Sequence, residues 1–388
     1  MAVCAAVVTG LLINACASSS PRAVTYTLGH FPPVPTDSFS DSSAGALQAV
    51  LDGAVKEGLP GISATVMTAH GELWTGTAGT ADGVHPVEAH SQFGIASITK
   101  TFVAVEVMRL SEAGLLRLSD PVSQYLPEDF HFDTNGATVE NLLHMESGIP
   151  DPAPSAAALA AFYGQPVDLS RAWTPQEVLA SVPKSRSKPG DHFVYEDANY
   201  MLLGLVVEAM TGKSVAAALR SSVLSDPRLS SMVYQPAERP KGPLALPFIE
   251  GRVRPNILKL GGGYLPSRAE ASEGNGSGCM ASDSAALALW GYLLFGGPQF
   301  VSEQSLMAMT DFRDGVYGLG VLNQTKNNAW RGAGEAIGNA GWDDGGYSSV
   351  LAVLPKEGIV ISVMTNTAGD PKVLVFPVAE ALAALARR

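Results

Sequence analysis

The chain has 388 residues, of which 46% are apolar and 16% are charged, and this composition is typical of a globular protein rather than a disordered one. The net charge is −12, from 37 acidic and 25 basic residues. No basic cluster stands out, so the composition disfavours nucleic-acid binding. Cys4 and Cys16 lie in the first apolar stretch and Cys279 stands alone in the body, which excludes a disulfide framework in a processed chain.

The N-terminal 20 residues form an apolar run that is too short to span a membrane comfortably, and a Ser/Pro-rich linker follows. This pattern predicts an export signal. Residues 12–16, Leu-Ile-Asn-Ala-Cys, resemble a bacterial lipoprotein cleavage site at which Cys16 is lipidated, although the usual basic region before the apolar run is missing. A plain signal peptide or a short anchor is the alternative. We therefore expect residues 1–38 to be signal and tether, in an exported chain anchored by lipid to the cell membrane.

Two patterns of apolar residues predict the first elements of the fold. Residues 39–57 are amphipathic and predict a first helix. Residues 62–66 alternate, His70-Gly71 forms a turn, and residues 73–77 run back as a hairpin. An antiparallel sheet therefore begins here.

Ser97 and Lys100 open the next helix, in which the apolar residues recur at helical spacing and Gly114 predicts the end. Residues three apart share a helix face, so the lysine amine can lie beside the serine hydroxyl. A serine needs a neighbouring base or a positive field to become nucleophilic, and a desolvated lysine could supply the base. The Ser-x-x-Lys motif alone is common, and a capping serine on a solvated helix is the other interpretation.

The middle of the chain is predicted to be mostly helical, with helices at 138–144, 175–182, 201–211 and 279–295 and a long excursion at 236–278. A second hairpin, 347–354 and 359–366, and an amphipathic helix, 371–385, end the chain. The fold class is thus α/β (α+β), an antiparallel sheet flanked by N- and C-terminal helices. In the domain 39–388 we expect the sheet part at about 44–96 and 296–388 and an inserted helical part at about 97–295.

Three competing motifs do not fit. His144-x-Glu146 suggests a zinc deaminase, but that chemistry also needs a cysteine pair and Cys279 is alone, so a structural role for His144 is favoured. Residues 212–214, Gly-Lys-Ser, lack the earlier glycine and the strand of a phosphate loop. No Gly-x-Ser-x-Gly nucleophile elbow is present. No metal or cofactor is therefore predicted.

The order of segments resembles the penicillin-recognising serine hydrolases, a family that includes class C β-lactamases, D-Ala-D-Ala carboxypeptidases and family VIII esterases. The resemblance covers about 44–385 and is carried by FGIASITKTFVA, LRLSDPVSQYLP, TVENLLHMESGIP, PGDHFVYEDANYMLLGLVVEAMTG, GSGCMASDSAALALW and IGNAGWDDGGYSSVLAVLP. It implies a β-lactamase/transpeptidase-like fold and an acyl-enzyme at Ser97. Lys100 and Tyr195, which takes the tyrosine position of a Tyr-x-Asn motif, would share the proton transfers.

The resemblance also identifies a substrate-binding set with two departures. Asp197 stands where the family more often has Asn, and its charge would hold Lys100 protonated and disfavour a tyrosinate. Asn339 stands where the third motif usually begins with Lys or His, so recognition of a substrate carboxylate should weaken. Gly341 and Trp342 follow, and the Trp342 amide with that of Ser97 would form the oxyanion hole.

Two functions remain open from the sequence. The leading hypothesis is an exported serine hydrolase acting through an acyl-enzyme on an ester or amide, of carboxylesterase or D-alanyl carboxypeptidase type, with weak or no β-lactamase activity. Its partners would be a small-molecule or peptide substrate and the cell-envelope membrane. The alternative is a catalytically impaired binding or regulatory lipoprotein that retains a penicillin-binding fold.

Overall fold

The structure is a computed structural model. It describes residues 24–25, 30–127, 129–152, 168–249, 251–253, 262–313, 315–326 and 328–388. The predicted lipidation site Cys16 lies outside these residues.

The strands of the described residues are, in chain order, β1 (Val24–Thr25), β2 (Asp37–Ser38), β3 (Gly61–Thr68), β4 (Glu72–Gly79), β5 (Phe93–Gly94), β6 (Val233–Tyr234), β7 (Phe248–Ile249), β8 (Arg252–Val253), β9 (Met280–Ser282), β10 (Asp311–Phe312), β11 (Leu322–Asn323), β12 (Ile337–Asp343), β13 (Tyr347–Leu354) and β14 (Ile359–Thr365). The α-helices are α1 (Asp41–Lys56), α2 (Thr99–Glu112), α3 (Val139–Leu143), α4 (Pro175–Leu179), α5 (Ala198–Thr211), α6 (Val215–Ser221), α7 (Arg268–Glu273), α8 (Ser284–Phe295), α9 (Glu303–Met309), α10 (Pro371–Leu374) and α11 (Phe376–Ala386).

One seven-stranded sheet joins the two ends of the chain, in the order β11-β12-β13-β14-β3-β4-β2. The hairpin β3–β4 and the hairpin β13–β14 meet where β14 pairs antiparallel with β3, from Ile359 opposite Thr68 to Thr365 opposite Ile62. Only the pairing of β2 with β4 is parallel among the described strands of this sheet. The predicted α/β class with a mostly antiparallel sheet and flanking helices is confirmed.

Apolar side chains cover both faces of this sheet. On one face, α1 and α11 pack their buried residues Leu47, Leu51, Val378 and Leu382 against the strands. On the other face, α2 and α8 build the larger core, in which the rings of Phe102 and Trp290 stack with centroids 4.0 Å apart. Burial of such residues is the main favourable term in folding. Helix α8 therefore packs directly on the sheet, and α2 packs on α8 through this ring pair.

Helix α8 belongs to the sheet packing rather than to the inserted helical part. A Cβ on Gly291 would lie 2.7 Å from Cδ1 of Leu351 and 3.1 Å from Cγ1 of Val360, which shows how closely α8 approaches β13 and β14. The described part of the segment 97–295 also contains β9, which pairs with β5 and β6. The expected division at residue 295 therefore falls too late along the chain.

The segment 30–38, which was expected to be tether, packs on the fold. The Phe31 amide donates to the Gly296 carbonyl at 2.8 Å, and the Tyr292 hydroxyl donates to the Pro32 carbonyl at 3.1 Å. The rings of Phe31 and Tyr292 lie 5.0 Å apart. The folded body therefore begins before residue 39, because this segment has apolar and hydrogen-bonding partners of its own.

Local signals set the helix ends as expected. Gly212 ends α5 with φ 64°, and the Ser214 side chain accepts from the Ala217 amide to start α6, so residues 212–214 are a helix boundary. Among the described residues, no single helix has the length and apolarity to cross a membrane, while α5 and α6 satisfy that criterion only when they are taken together across their 66° bend.

Candidate active site

Ser97 lies in a single 3₁₀ turn, Ala96–Ile98, immediately before α2. Ala96 has φ 44°, a left-handed conformation that is uncommon for a residue with a side chain. Ser97 is half-buried while its neighbours on both sides are buried. The turn thus presents one hydroxyl at the edge of a packed core, and backbone strain of this kind is concentrated at functional sites.

Lys100 is completely buried beneath Ser97 and has three acceptors around its ammonium group. Its Nζ atom donates to Ser97 Oγ at 2.9 Å and to the Ser277 carbonyl at 2.8 Å. Asp197 Oδ1 lies 2.6 Å from the same nitrogen. Removing an ammonium from water is costly unless it is paired and hydrogen-bonded, and these partners satisfy that condition. The helical spacing predicted the Ser97–Lys100 contact.

Tyr195 completes the group, because its phenol lies close enough to the Ser97 side chain for that side chain to lower the phenol pKa. The Lys100 Nζ lies 5.0 Å from the centre of the Tyr195 ring. Burial, and then the negative charge of Asp197, raise the pKa of the Tyr195 phenol well above its ordinary value of 10.0. At neutral pH the phenol is therefore protonated. This agrees with the prediction that the charge of Asp197 disfavours a tyrosinate.

Asp197 lies at the start of α5 beside two other carboxyl groups. The Asp151 Oδ1 accepts from the Ala198 amide at 3.0 Å, and the Asp151 amide donates to Glu196 Oε2 at 2.8 Å. Burial and the charges of Asp197 and Glu196 raise the pKa of Asp151 from 3.8 to about 8. Asp151 is thus mostly protonated at neutral pH, and Asp197 is the carboxyl group that faces Lys100.

Strand β12 forms the opposite side of the site. It pairs with β11 only at Ile337 and Gly338, and among the described strands none pairs with its later residues on the side away from β13. A Cβ on Gly341 would lie 2.1 Å from the Ile95 carbonyl oxygen, so only glycine allows this edge to approach the Ser97 turn. Trp342 follows and is 42% exposed. The predicted oxyanion pair, the amides of Ser97 and Trp342, is thus carried by two segments in contact.

Asn339 lies below this edge rather than at the surface. It is buried, and its Nδ2 donates to Thr101 Oγ1 at 3.1 Å and to the Gly320 carbonyl at 3.2 Å. Its Oδ1 accepts from the Ala340 amide at 2.9 Å. Both amide hydrogens are therefore used inside the protein, and the predicted contact between Asn339 and substrate stays a prediction. Its position fits support of the β12 edge better.

Sequence reasoning missed three contributors. Tyr317 is buried, its ring meets the Tyr195 ring edge-on with centroids 5.9 Å apart, and it contacts the side chains of Tyr200 and Asn339. The Ser277 carbonyl and the Asp151 carboxyl are the other two. Tyr317 was visible only as an aromatic residue in a short apolar segment. The role of a backbone carbonyl such as Ser277 leaves no residue-type signal at all.

His144 is buried at the end of α3. Among the residues that the structure describes, no group of three or more His, Cys, Asp or Glu side chains is arranged to hold a metal ion. The site residues therefore offer acid–base and nucleophilic chemistry. Ser97 can attack a carbonyl, Tyr195 can pass on its proton, Lys100 can stabilise negative charge, and the β12 edge can bind an oxyanion.

The comparisons with known proteins agree with this fold. Protein flp of Staphylococcus aureus (strain COL) is 32% identical over 138 residues, which is 34% of this chain and 26% of that protein, so the match spans about a quarter of the curated relative.

Two solved structures match over nearly the whole chain. D-amino acid amidase from Ochrobactrum anthropi SV3, complexed with D-phenylalanine, is 22% identical with a TM-score of 0.73, covering 90% of this chain and 100% of that one. D-stereospecific amidohydrolase from Streptomyces sp. is 24% identical with a TM-score of 0.69, covering 86% and 97%. At these identities the likeness shows the fold. The model of the Beta-lactamase family matches residues 47–385, and the chain belongs to that family.

Proposed function

We propose that the chain is a serine hydrolase that acts on an ester or amide through an acyl-enzyme at Ser97. One observation carries the proposal. Ser97 and Lys100, at the start of α2, meet Tyr195, which comes just before α5. Lys100 donates to the Ser97 hydroxyl at 2.9 Å, and the Tyr195 phenol lies close enough to the Ser97 side chain for that side chain to lower its pKa. A hydroxyl in contact with a proton carrier and a cation, beside a strand edge, is the arrangement that acyl transfer needs.

Acylation uses Tyr195 as the proton carrier. Ser97 Oγ forms a bond to the substrate carbonyl carbon while its proton passes to Tyr195 Oη. The phenol proton of Tyr195 moves to the leaving oxygen or nitrogen, and the bond between that atom and the carbonyl carbon breaks. Because the phenol is protonated at neutral pH, this exchange needs no tyrosinate. Lys100 orients Ser97 through its hydrogen bond to Oγ, and Asp197 holds Lys100 in place.

Deacylation runs through the same groups. A water oxygen attacks the acyl carbon as the water proton passes to Tyr195 Oη, and the phenol proton returns to Ser97 Oγ as that oxygen leaves. The products are a carboxylic acid and the free serine. The amides of Ser97 and Trp342 would bind the oxyanion formed in each half of the reaction.

Esters or amides without a carboxylate near the reacting bond are the proposed substrates, with weak or no hydrolysis of β-lactams. The buried and fully bonded Asn339 brings no positive charge for a carboxylate. The structural neighbours are named as amidases and amidohydrolases, which supports amides among the substrates. Of the two finer forms of this proposal, carboxylesterase and D-alanyl carboxypeptidase, the missing positive charge favours the carboxylesterase.

Hydrolysis of short-chain p-nitrophenyl esters by the purified chain tests the proposal. We expect turnover by the wild type and loss of it in Ser97→Ala. The same two proteins incubated with a fluorophosphonate should differ, with a label on the wild type alone. Absence of both label and turnover over a panel of esters, amides, penicillins and D-alanyl peptides would support the binding lipoprotein instead.

We further propose that the chain is exported and anchored to the bacterial cell membrane by a lipid on Cys16. The support is the apolar N-terminal run and the Leu-Ile-Asn-Ala-Cys sequence at residues 12–16. Expression of the full chain in a bacterium with a labelled fatty acid should give a labelled membrane-bound protein. Cys16→Ser should abolish the label, and a label that persists in that variant contradicts the proposal.

A further inference from the structure

We propose that Asp197 selects substrates whose acyl group carries a cationic amine next to the reacting carbonyl. The inference rests on the proposed hydrolase function and names the substrate class of the same site. Asp197 occupies the position where the family pattern more often has a neutral residue, so the charge is a property of this chain.

The site has no spare positive charge for an anionic substrate. Lys100 is the one cation in contact with Ser97 or Asp197 among the described residues, and Asp197 offsets its charge at 2.6 Å. Lys100 already has three protein acceptors, from Ser97, Ser277 and Asp197. A substrate carboxylate would therefore meet a neutral pair rather than a free ammonium.

The carboxylate of Asp197 has a buried side and an exposed side. Oδ1, which faces Lys100, is inaccessible to solvent, whereas the whole side chain is 42% exposed. The exposed surface therefore belongs to the remaining atoms, Oδ2 among them. A carboxylate has about four acceptor sites, so Oδ1 can hold Lys100 while Oδ2 accepts from a second cation.

The location of Asp197 would place that second cation beside the substrate carbonyl that Ser97 attacks. Ser97 Oγ and Asp197 Oδ1 contact the same nitrogen, Lys100 Nζ. Only this nitrogen therefore separates the Asp197 carboxylate from the nucleophilic oxygen. An α-amino group lies one carbon away from the carbonyl carbon that Ser97 attacks. An α-ammonium is thus the substrate feature that this charge arrangement favours.

The test compares benzyl thioesters of alanine, as both enantiomers, with the benzyl thioester of isobutyric acid, in which a methyl group replaces the ammonium. We expect the wild type to have the higher kcat/KM on one alanyl thioester. In Asp197→Asn the ratio of alanyl to isobutyryl kcat/KM should fall by roughly tenfold to a hundredfold, the range of a charge-assisted hydrogen bond. Asp41→Asn makes the same change in charge on exposed α1, which covers the other face of the sheet, and should leave the ratio unchanged.

A measurement on the wild type alone covers the case in which Asp197→Asn does not fold. Alaninamide should protect Ser97 from a fluorophosphonate at a lower concentration than isobutyramide does. Raising the salt to about 0.5 M, on the order of ten times the concentration of a dilute buffer, should reduce the difference between the two amides. Equal protection by the two amides would overturn the role of Asp197. So would a ratio of alanyl to isobutyryl kcat/KM that is the same in the wild type and in Asp197→Asn. A protein that cleaves isobutyryl thioester with no preference for alanyl contradicts only this inference. A protein that cleaves neither thioester and takes no label also contradicts the proposed function.

Discussion

The Nζ atom of Lys100, whose side chain is fully buried, lies 2.6 Å from Oδ1 of Asp197, whose side chain is 42% exposed. The two members of this ion pair therefore depend on each other unequally. Without Asp197, the ammonium loses its charged partner in a place that water does not reach. Without Lys100, the carboxylate can still be hydrated from its exposed side.

This asymmetry predicts an order of stabilities. Asp197→Ala should lower the free energy of unfolding by about 1–3 kcal/mol, less than for a fully buried pair because the carboxylate is partly exposed. Lys100→Met, which fills the same space with an apolar chain, should cost less or nothing. Urea denaturation measures both values, and a Lys100→Met protein less stable than Asp197→Ala would contradict the assignment. Both variants should lose ester hydrolysis.

Removal of the Tyr195 hydroxyl should slow catalysis without affecting the fold. Because Tyr195 would carry the proton in both half-reactions, Tyr195→Phe should lower kcat by about 10²–10⁴-fold. Tyr292→Phe is the matched control. Tyr292 lies on α8, and its hydroxyl donates to the Pro32 carbonyl, away from Ser97. Kinetics on a p-nitrophenyl ester, with melting curves of both variants, check the prediction. Unchanged kcat in Tyr195→Phe would remove tyrosine from the mechanism.

A methyl group at Gly341 should separate β12 from the Ser97 turn. The added Cβ would lie 2.1 Å from the Ile95 carbonyl oxygen, so Gly341→Ala should destabilise the protein by about 1–3 kcal/mol and lower kcat/KM by at least about tenfold. Gly45→Ala serves as control, because nothing lies within 4 Å of a Cβ at that helical position. That control should stabilise the protein by about 0.5–1 kcal/mol. Full activity in Gly341→Ala would argue against an oxyanion site at this edge.

Asp151 should make stability depend on pH. Its pKa is raised from 3.8 to about 8, so between these values the folded chain holds a proton that the unfolded chain releases. The free energy of unfolding therefore falls as pH rises through this window. Relative to Asp151→Asn, the wild type should lose about 1 kcal/mol or more between pH 5 and pH 9.

Urea denaturation at several pH values measures this difference. Asp343, whose pKa burial also raises to about 8, is present in both proteins and its contribution cancels in the comparison. A difference between wild type and variant that is constant with pH would show that Asp151 titrates normally in the folded chain.

The sequence carried much of the fold because its signals are local. Hairpin β13–β14 consists of two mostly apolar runs on either side of a clear turn. The three-residue spacing of Ser97 and Lys100 places them on one helix face whatever surrounds them. The role of Tyr195 could be predicted only from the family resemblance, since nothing near it in the chain indicates that it lies beside Ser97.

The remaining features depend on packing between distant segments. Tyr317 contacts Tyr195 only because the chain after β10 returns beneath α2, and the Ser277 carbonyl reaches Lys100 from 177 positions away. The burial of Asn339 likewise follows from the contact of β12 with α2 and Gly320. No property of the residue types at these positions indicates such contacts.

Mass spectrometry of the intact protein and its peptides after reaction with an activated ester or a fluorophosphonate tests the central claim most directly. We predict a single adduct on the peptide that contains Ser97, absent in Ser97→Ala and formed more slowly in Tyr195→Phe. An adduct on any other residue, or one that persists in Ser97→Ala, would contradict the account.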